Sequence, residues 1–289
     1  PEGLSAMMYA WGQLVDHDLD LANSDNTTDI SITVPAGDKT FAAGSSIAMT
    51  RAVIDPKTGV PGHPATAVNA VTGWLDASMV YGSDAATAAS LRGSGGHLLT
   101  SPGNNLPISN GMFAAGDARA QENPSLTALQ TLLMREHNYQ VDRLHAQHPD
   151  WTADQLYQQA RAIVTAEVEH ITYSEYLPHL IGGSAIAPYR GYNPSVDPVS
   201  YTHLRANDLR NFLAVPPDGM DLAAINIQRG RDLGLGTLNQ TRISLGLKPY
   251  TDFSQITSDT RVAADRKTAY GIVDTIDLWV GGLAENHAK

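Results

Sequence analysis

The 289-residue chain has no cysteine. That excludes disulfides, thiolate metal sites and cysteine nucleophiles, and it leaves the redox compartment open. Basic residues are outnumbered, 19 against 30 acidic ones, for a formal charge of -11. An excess of negative charge on that scale argues against nucleic acid as a partner. No apolar run approaches membrane-spanning length, and no charged-then-apolar leader precedes a small-residue cleavage site. There is no internal repeat, no low-complexity tract and little strand-like alternation. What is present is 42% hydrophobic residues, enough for a substantial core in one large domain or two ordinary ones. Pro1 opens almost inside the Met7–Asp20 pattern, and Lys289 closes abruptly after "WVGGLAENHAK". Truncation at both ends is therefore expected, with any export signal lying outside the chain.

The pattern predicts a mainly α architecture with long loops. A first helix is expected over about Leu4–Leu21. Residues 22–71, rich in Gly, Pro, Ser, Thr, Asp and Asn, read as a long surface excursion. "NAVTGWLDASMVYGSD" (69–84) reads as part loop, part short helix. After Pro124, Leu126, Leu129, Leu133, Val141 and Leu144 keep one side of a long helix apolar, until His148-Pro149 ends it. Thr152 with Gln155 forms a capping box for a helix running to about Tyr176. Later helices are expected over Leu222–Gln228, Leu235–Leu245 and Thr260–Val273.

Three short stretches carry chemistry. In "WGQLVDHDLDLA" (11–22), a helix puts Gln13, Asp16 and His17 on one face, and turns Asp18 away by about a quarter turn or more. By itself this triplet describes a histidine held by carboxylates at a helix surface. In "GDARAQENPSLTALQTLLMREHN" (116–138), Arg119 and Glu122 stand three apart just before a helix, a spacing that also suits a surface ion pair. In "TGWLDAS" (72–78), Thr72, Trp74, Asp76 and Ser78 alternate. Their hydroxyl, carboxylate and backbone carbonyl oxygens could wrap a hard cation such as calcium, or simply build a turn.

In this order the three segments resemble the animal-type haem peroxidases of the peroxidase–cyclooxygenase superfamily, which also occur in bacteria; a bacterial member is expected. "WGQLVDHD" resembles the distal helix of that family, "TGWLDASMVYGS" its calcium loop and "GDARAQE…LLMREHN" its catalytic-arginine segment. "EHITYSEYLPHLIG" (169–182), "YNPSVDP" (192–198), "DLRNFL" (208–213), "LAAINIQRGRDLGL" (222–235) and "IDLWVGGLAE" (276–285) extend the likeness over most of the chain. The resemblance implies a single haem-peroxidase-like helical domain over 1–289. It implies b-type haem, with Asp16 and Glu122 matching the carboxylates that form ester bonds to it. His17 would be the distal base, Arg119 would stabilise charge as the peroxide O–O bond breaks, and Gln13 would hold distal water or lie near a halide. Asp18, Thr72, Trp74 (through its carbonyl), Asp76 and Ser78 match calcium ligands. Asn226 matches the asparagine that hydrogen-bonds the proximal histidine. Asn123 stands where myeloperoxidase-type members carry a haem-linked methionine, so a sulfonium link is excluded. Hydrogen peroxide and a small electron donor are the implied partners, and an extracellular or periplasmic location follows from the family and its calcium loop.

The likeness breaks in one place. The family's iron ligand is a histidine in an Arg-x-Gly-His-type helix, and no Arg-x-Gly-His occurs in this chain. Pro198 instead runs into "VSYTHLRA" (199–206), and family-like sequence resumes at Asn207-Asp208. His203 lacks the Arg-x-Gly context and reads as part of a solvated loop. His97 reads as superficial, and His137 as structural. "VSYTHL" resembles the translation of a transposon-end adapter used in preparing sequencing libraries. A chimeric reading frame joining two pieces of one gene is therefore expected, with an internal deletion as its rival. Weak haem binding and little peroxidase activity follow for the chain as it stands. Two other functions compete: a fatty-acid oxygenase of the same superfamily, and a non-catalytic calcium-binding module.

Overall fold

The computed structural model describes residues 5–38, 41–61, 65–183, 186 and 222–285. The junction at 199–206, His203, and the segments 192–198 and 208–213 lie outside the described residues. The chain forms two compact units, one of residues 1–21 and 69–209, the other of 22–68 and 210–289.

The first unit is helical. α1 (Met7–Leu19) buries Ala10, Trp11 and Leu14, as an amphipathic helix should, but it also buries Gln13, His17 and Asp18. Buried polar groups need partners, so this helix is built around a site and not only around a core. α2 (Ser78–Tyr81) is a single turn entered through Ala77, whose φ of 60° is left-handed. α3 (Ala85–Leu91) is capped by Asp84, which accepts the N–H groups of Ala86 and Thr87. α4 (Pro124–Gln147) starts with proline inside its first turn and is capped by Asn123. Its predicted apolar stripe is buried throughout, at Leu126, Leu129, Leu133, Val141 and Leu144. α5 (Ala153–Ile171) has both halves of the expected Thr152–Gln155 capping box. A π-helical turn, Thr172–Tyr176, leads into α6 (Leu177–Ile181). The core joins Trp11 and Leu14 of α1 to Met79 and Tyr81 of α2, Leu126 and Leu133 of α4, and Val164 of α5.

The second unit corrects the reading of residues 22–71 as plain surface excursion. Ser24–Asp29 pairs antiparallel with Thr50–Ala52, and Ile32–Thr33 with Ser46–Ile47. These ladders are held by α7 (Leu222–Asp232). Asp232 accepts from Arg51 Nε and the Ala52 N–H, each at 2.7 Å, and from Arg229 Nη1 at 2.9 Å. α8 (Leu238–Ser244), α9 (Thr260–Tyr270) and α10 (Leu278–Ala284) follow. α9 stops three residues before its predicted end because Gly271, at φ 71°, turns the chain. Leu238, Phe253, Ile256, Ile276 and Val280 form this unit's own core.

Candidate active site

His17 is 2% exposed and sits between two carboxylates. Its Nδ1 lies 3.7 Å from Asp117 Oδ1, and its Nε2 lies 3.6 Å from Glu122 Oε2. α1 supplies His17 and Gln13 from one face, as the helical spacing requires. The turn before α4 supplies the rest. Gln13 donates through Nε2 to Glu122 Oε2 at 2.8 Å, and accepts at Oε1 from Asn123 Nδ2 at 2.6 Å. Asn123 in turn uses its own carbonyl oxygen to cap α4, accepting the Leu126 N–H at 2.9 Å. Arg119 does not pair with Glu122, as its spacing suggested. It grips Asp117, with Nε on Oδ1 at 2.9 Å and Nη2 on Oδ2 at 2.8 Å, and it donates to the Asp20 carbonyl at 2.9 Å.

The electrostatics follow from burial and from this clamp. Burial raises the Asp117 carboxyl, but the hydrogen bonds and charge of Arg119 outweigh it and hold the group below the usual carboxylate range. Burial likewise opposes the Arg119 charge, yet Asp117, Asp16 and Glu122 raise its proton affinity overall. Asp16 has no such clamp: burial pushes it up to about 6. An open cavity of about 620 Å³ lies beside the site, lined among others by Phe113, Glu122, Asn123, Thr127 and Arg135.

Asp18 turns away from the face that carries Gln13 and His17, as the helical geometry predicted. Its carboxylate accepts the N–H groups of Ala77 at 2.9 Å and Met79 at 3.1 Å, and the Ser78 hydroxyl at 2.6 Å. Thr72 Oγ1 donates to Asp76 Oδ1 at 3.0 Å and approaches Ser78 Oγ at 3.3 Å. Four of the five expected ligands thus converge, while Trp74 is 40% exposed and its backbone N–H donates to Thr72 Oγ1. Burial pushes Asp18 up to about 6, and the nearby Asp76 carboxylate adds to it. Among the described residues no three His, Asp or Glu side chains cluster as a metal group; this donor set has two carboxylates, with hydroxyls beside them. Asn226 lies half-buried on α7 in the second unit.

Sequence reasoning missed Asp117 and the connecting role of Asn123. Asp117 stands two residues before Arg119 in "GDAR", and that proximity was the available signal. His137 is structural, as expected: it is fully buried, with Nδ1 2.9 Å from the Tyr81 hydroxyl and Nε2 3.0 Å from the Gly96 carbonyl. His97 is about one-third exposed, against Asp142.

The site joins a buried histidine to a partly exposed arginine and flanking carboxylates on a helical frame. Comparison with known proteins identifies the frame. The animal haem peroxidase family matches residues 1–206 and again 199–289. Peroxinectin A of Dictyostelium discoideum is 28% identical over all of this chain and 72% of its own length. Lactoperoxidase of Mesocricetus auratus is 29% identical over 97% of this chain, which spans only 57% of it. Among solved structures, peroxidase A from Dictyostelium discoideum superposes with a TM-score of 0.83 at 26% identity, covering 100% of this chain and 75% of that one. Oryza sativa fatty acid alpha-dioxygenase shares the fold, with a TM-score of 0.80 at 20% identity over 98% of this chain and 64% of that one. The chain belongs to the animal haem peroxidase family. The two family matches meet over 199–206, and the alignment with peroxinectin A runs over 385 residues against 289 here, so 96 of its positions face gaps in this chain. Among the described residues no helix is long and apolar enough to cross a membrane.

Proposed function

We propose that this chain carries the distal half of a haem-dependent peroxidase that uses hydrogen peroxide to oxidise small organic donors or halides, and that the loss of its proximal ligand impairs it. The observation that carries the reading is His17, buried beside Arg119, Gln13 and Glu122 in a chain of this family. The distal residues fit a haem group: a buried imidazole, an arginine beside it, and Asp16 and Glu122 as carboxylates suited to ester links. The opposite side does not fit, because the sequence offers no Arg-x-Gly-His, and Asn226 is left without the histidine it would hold.

Haem, when bound, supplies the redox centre at which peroxide is cleaved. The chain's own residues supply proton handling and charge. With haem held there, His17 Nε2 would accept a proton from peroxide and give it to the leaving oxygen, a task suited to an imidazole. The Arg119 guanidinium, held by Asp117, would meet the negative charge developing on that oxygen. Gln13, fixed between Glu122 and Asn123, presents its amide to water or halide. The cavity beside Glu122 has room for a small organic donor. Calcium is the proposed occupant of the Asp18, Thr72, Asp76 and Ser78 oxygens, with the Trp74 carbonyl as the fifth donor. Extracellular or periplasmic placement belongs to the same reading.

The break at 199–206 supports a lost internal segment, whether through a chimeric reading frame or a deletion. Reading the source DNA across the codons for Asp197–Asp208 separates the two. An inserted stretch encoding an Arg-x-Gly-His-type helix makes the natural protein a complete peroxidase; an unbroken junction makes the loss real. Haem titration tests function directly. The chain as it stands is expected to give no stable Soret band. A stable band that shifts with cyanide, with peroxide turnover lost in His17→Ala, overturns the impairment.

The Asp18–Asp76 oxygen cluster also favours a second reading, a calcium-binding module that kept the fold and lost haem. A chain with the missing segment restored that still binds no haem would establish it. Restored haem binding with turnover of fatty acid but not of peroxide donors would instead point to an oxygenase.

A further inference from the structure

His17 Nδ1 is a buried polar atom without a hydrogen-bond partner. A buried N–H or lone pair left unpaired costs about 1–3 kcal/mol, so the proton's place on this ring matters. The ring has two choices. A proton on Nε2 would face Glu122 Oε2 at 3.6 Å, on a side chain that is 40% exposed. A proton on Nδ1 would face Asp117 Oδ1 at 3.7 Å, on a carboxylate only 1% exposed. The attraction of an N–H dipole to a carboxylate is screened by water at the first site and less so at the second.

The Asp117 carboxylate is also fixed in place. The Asp117 N–H donates to the Met79 carbonyl at 3.0 Å, and the carboxylate receives the Arg119 N–H at 2.7 Å besides its two guanidinium bonds. Gly116, just before it, packs so tightly on α2 that a Cβ would stand 2.1 Å from the Ser78 carbonyl oxygen and 2.3 Å from the Gly82 nitrogen. The acid therefore cannot drift from the ring without moving main chain.

We propose that Asp117 is a positioning residue that orients two groups at once: it holds Arg119 through the bidentate pair, and it fixes His17 as the Nδ1–H tautomer. Nε2 is thereby left bare on the side shared with Gln13 and Glu122. This deepens the peroxidase reading and rests on it for its role, since a base must present a lone pair to the peroxide. The logic is that of a buried aspartate setting the tautomer of a catalytic histidine, where asparagine in its place selects the wrong one.

The test is read on the haem-free full chain. Histidine ¹⁵N spectra recorded at about pH 9, well above the ordinary imidazole value, assign the protonated and bare nitrogens of each ring. His17 is identified by its loss in His17→Gln. The expected result places the bare-nitrogen resonance at Nε2 in the native chain. In Asp117→Asn, whose amide donates where the carboxylate accepted, the two resonances exchange. In Arg119→Gln, which keeps the carboxylate, they stay as in the native chain. A native His17 protonated at Nε2 overturns the proposal outright, whether or not Asp117→Asn folds. So does an unchanged tautomer in a folded Asp117→Asn. Failure of the peroxidase reading appears separately, as absent haem binding or turnover in the chain with its missing segment restored.

Discussion

Asn123 and Gln13, distant in sequence, are joined side chain to side chain at 2.6 Å. The same asparagine ends the loop and begins α4, so one residue couples a helix cap to the site. Asn123→Ala should lower stability by about 1 kcal/mol for the lost cap, with a further loss for the stranded Gln13 amide. Asn123→Asp keeps the cap but offers Gln13 no donor. It should recover most of the stability in urea unfolding. Equal destabilisation by both substitutions would show that the Gln13 bond, and not the cap, dominates.

Gly116 meets main chain on every side. Gly116→Ala puts a methyl 2.1 Å from a carbonyl oxygen that cannot yield as a side chain would. A loss of at least about 2 kcal/mol is expected in denaturant unfolding. Gly183→Ala, where the added methyl meets nothing within 4 Å, is the matched control. It should stay within about 0.5 kcal/mol of the native chain.

Burial pushes the His137 imidazole down to about 4. The unfolded ring titrates near its ordinary value of about 6.5, so between those values the unfolded state binds the extra proton. Stability from this residue is complete above about pH 6.5 and is lost as pH falls through the window to about 4, by about 3 kcal/mol in all. His137→Gln should flatten that part of the pH–stability curve. Parallel curves for the two proteins would refute the assignment.

Calcium should raise the melting temperature by about 5 °C or more at concentrations far above its dissociation constant, because a ligand of the folded state stabilises it by mass action. A chelator should reverse the gain. Asp76→Asn removes charge while keeping shape, and should abolish most of the shift. An unchanged melting temperature with calcium and with chelator would count against the site.

Much of this arrangement was legible because it is local. The 3.6-residue period that puts Gln13 and His17 on one face and Asp18 on another is fixed by helix geometry, and so are the α4 stripe and the Thr152 cap. Spacing alone offered Arg119 two local partners, Glu122 three residues on and Asp117 two residues back, and only the turn of the backbone decides for Asp117. The ladders in residues 22–68 escaped because they depend on contacts made across the fold. Their strands are two to six residues long, too short for alternation to register, and Asp232 on a distant helix anchors one of them. α10 is only seven residues long, with two glycines in "LWVGGLA", and local propensity does not announce it.

Ala77 holds φ 60°, a conformation costing about 1 kcal/mol or more in a residue with a Cβ, and it does so with its N–H fastened to Asp18. His17 and Asp18 are consecutive, so this fastening works like a key in a shaft. It sets the angle at which α1 is rotated about its own axis. A cation drawn to the Asp18 oxygens would tighten that setting without touching the imidazole, and its removal would let the helix roll. The aim of the imidazole would then be governed by its neighbour in sequence, a quarter turn or so around the same helix.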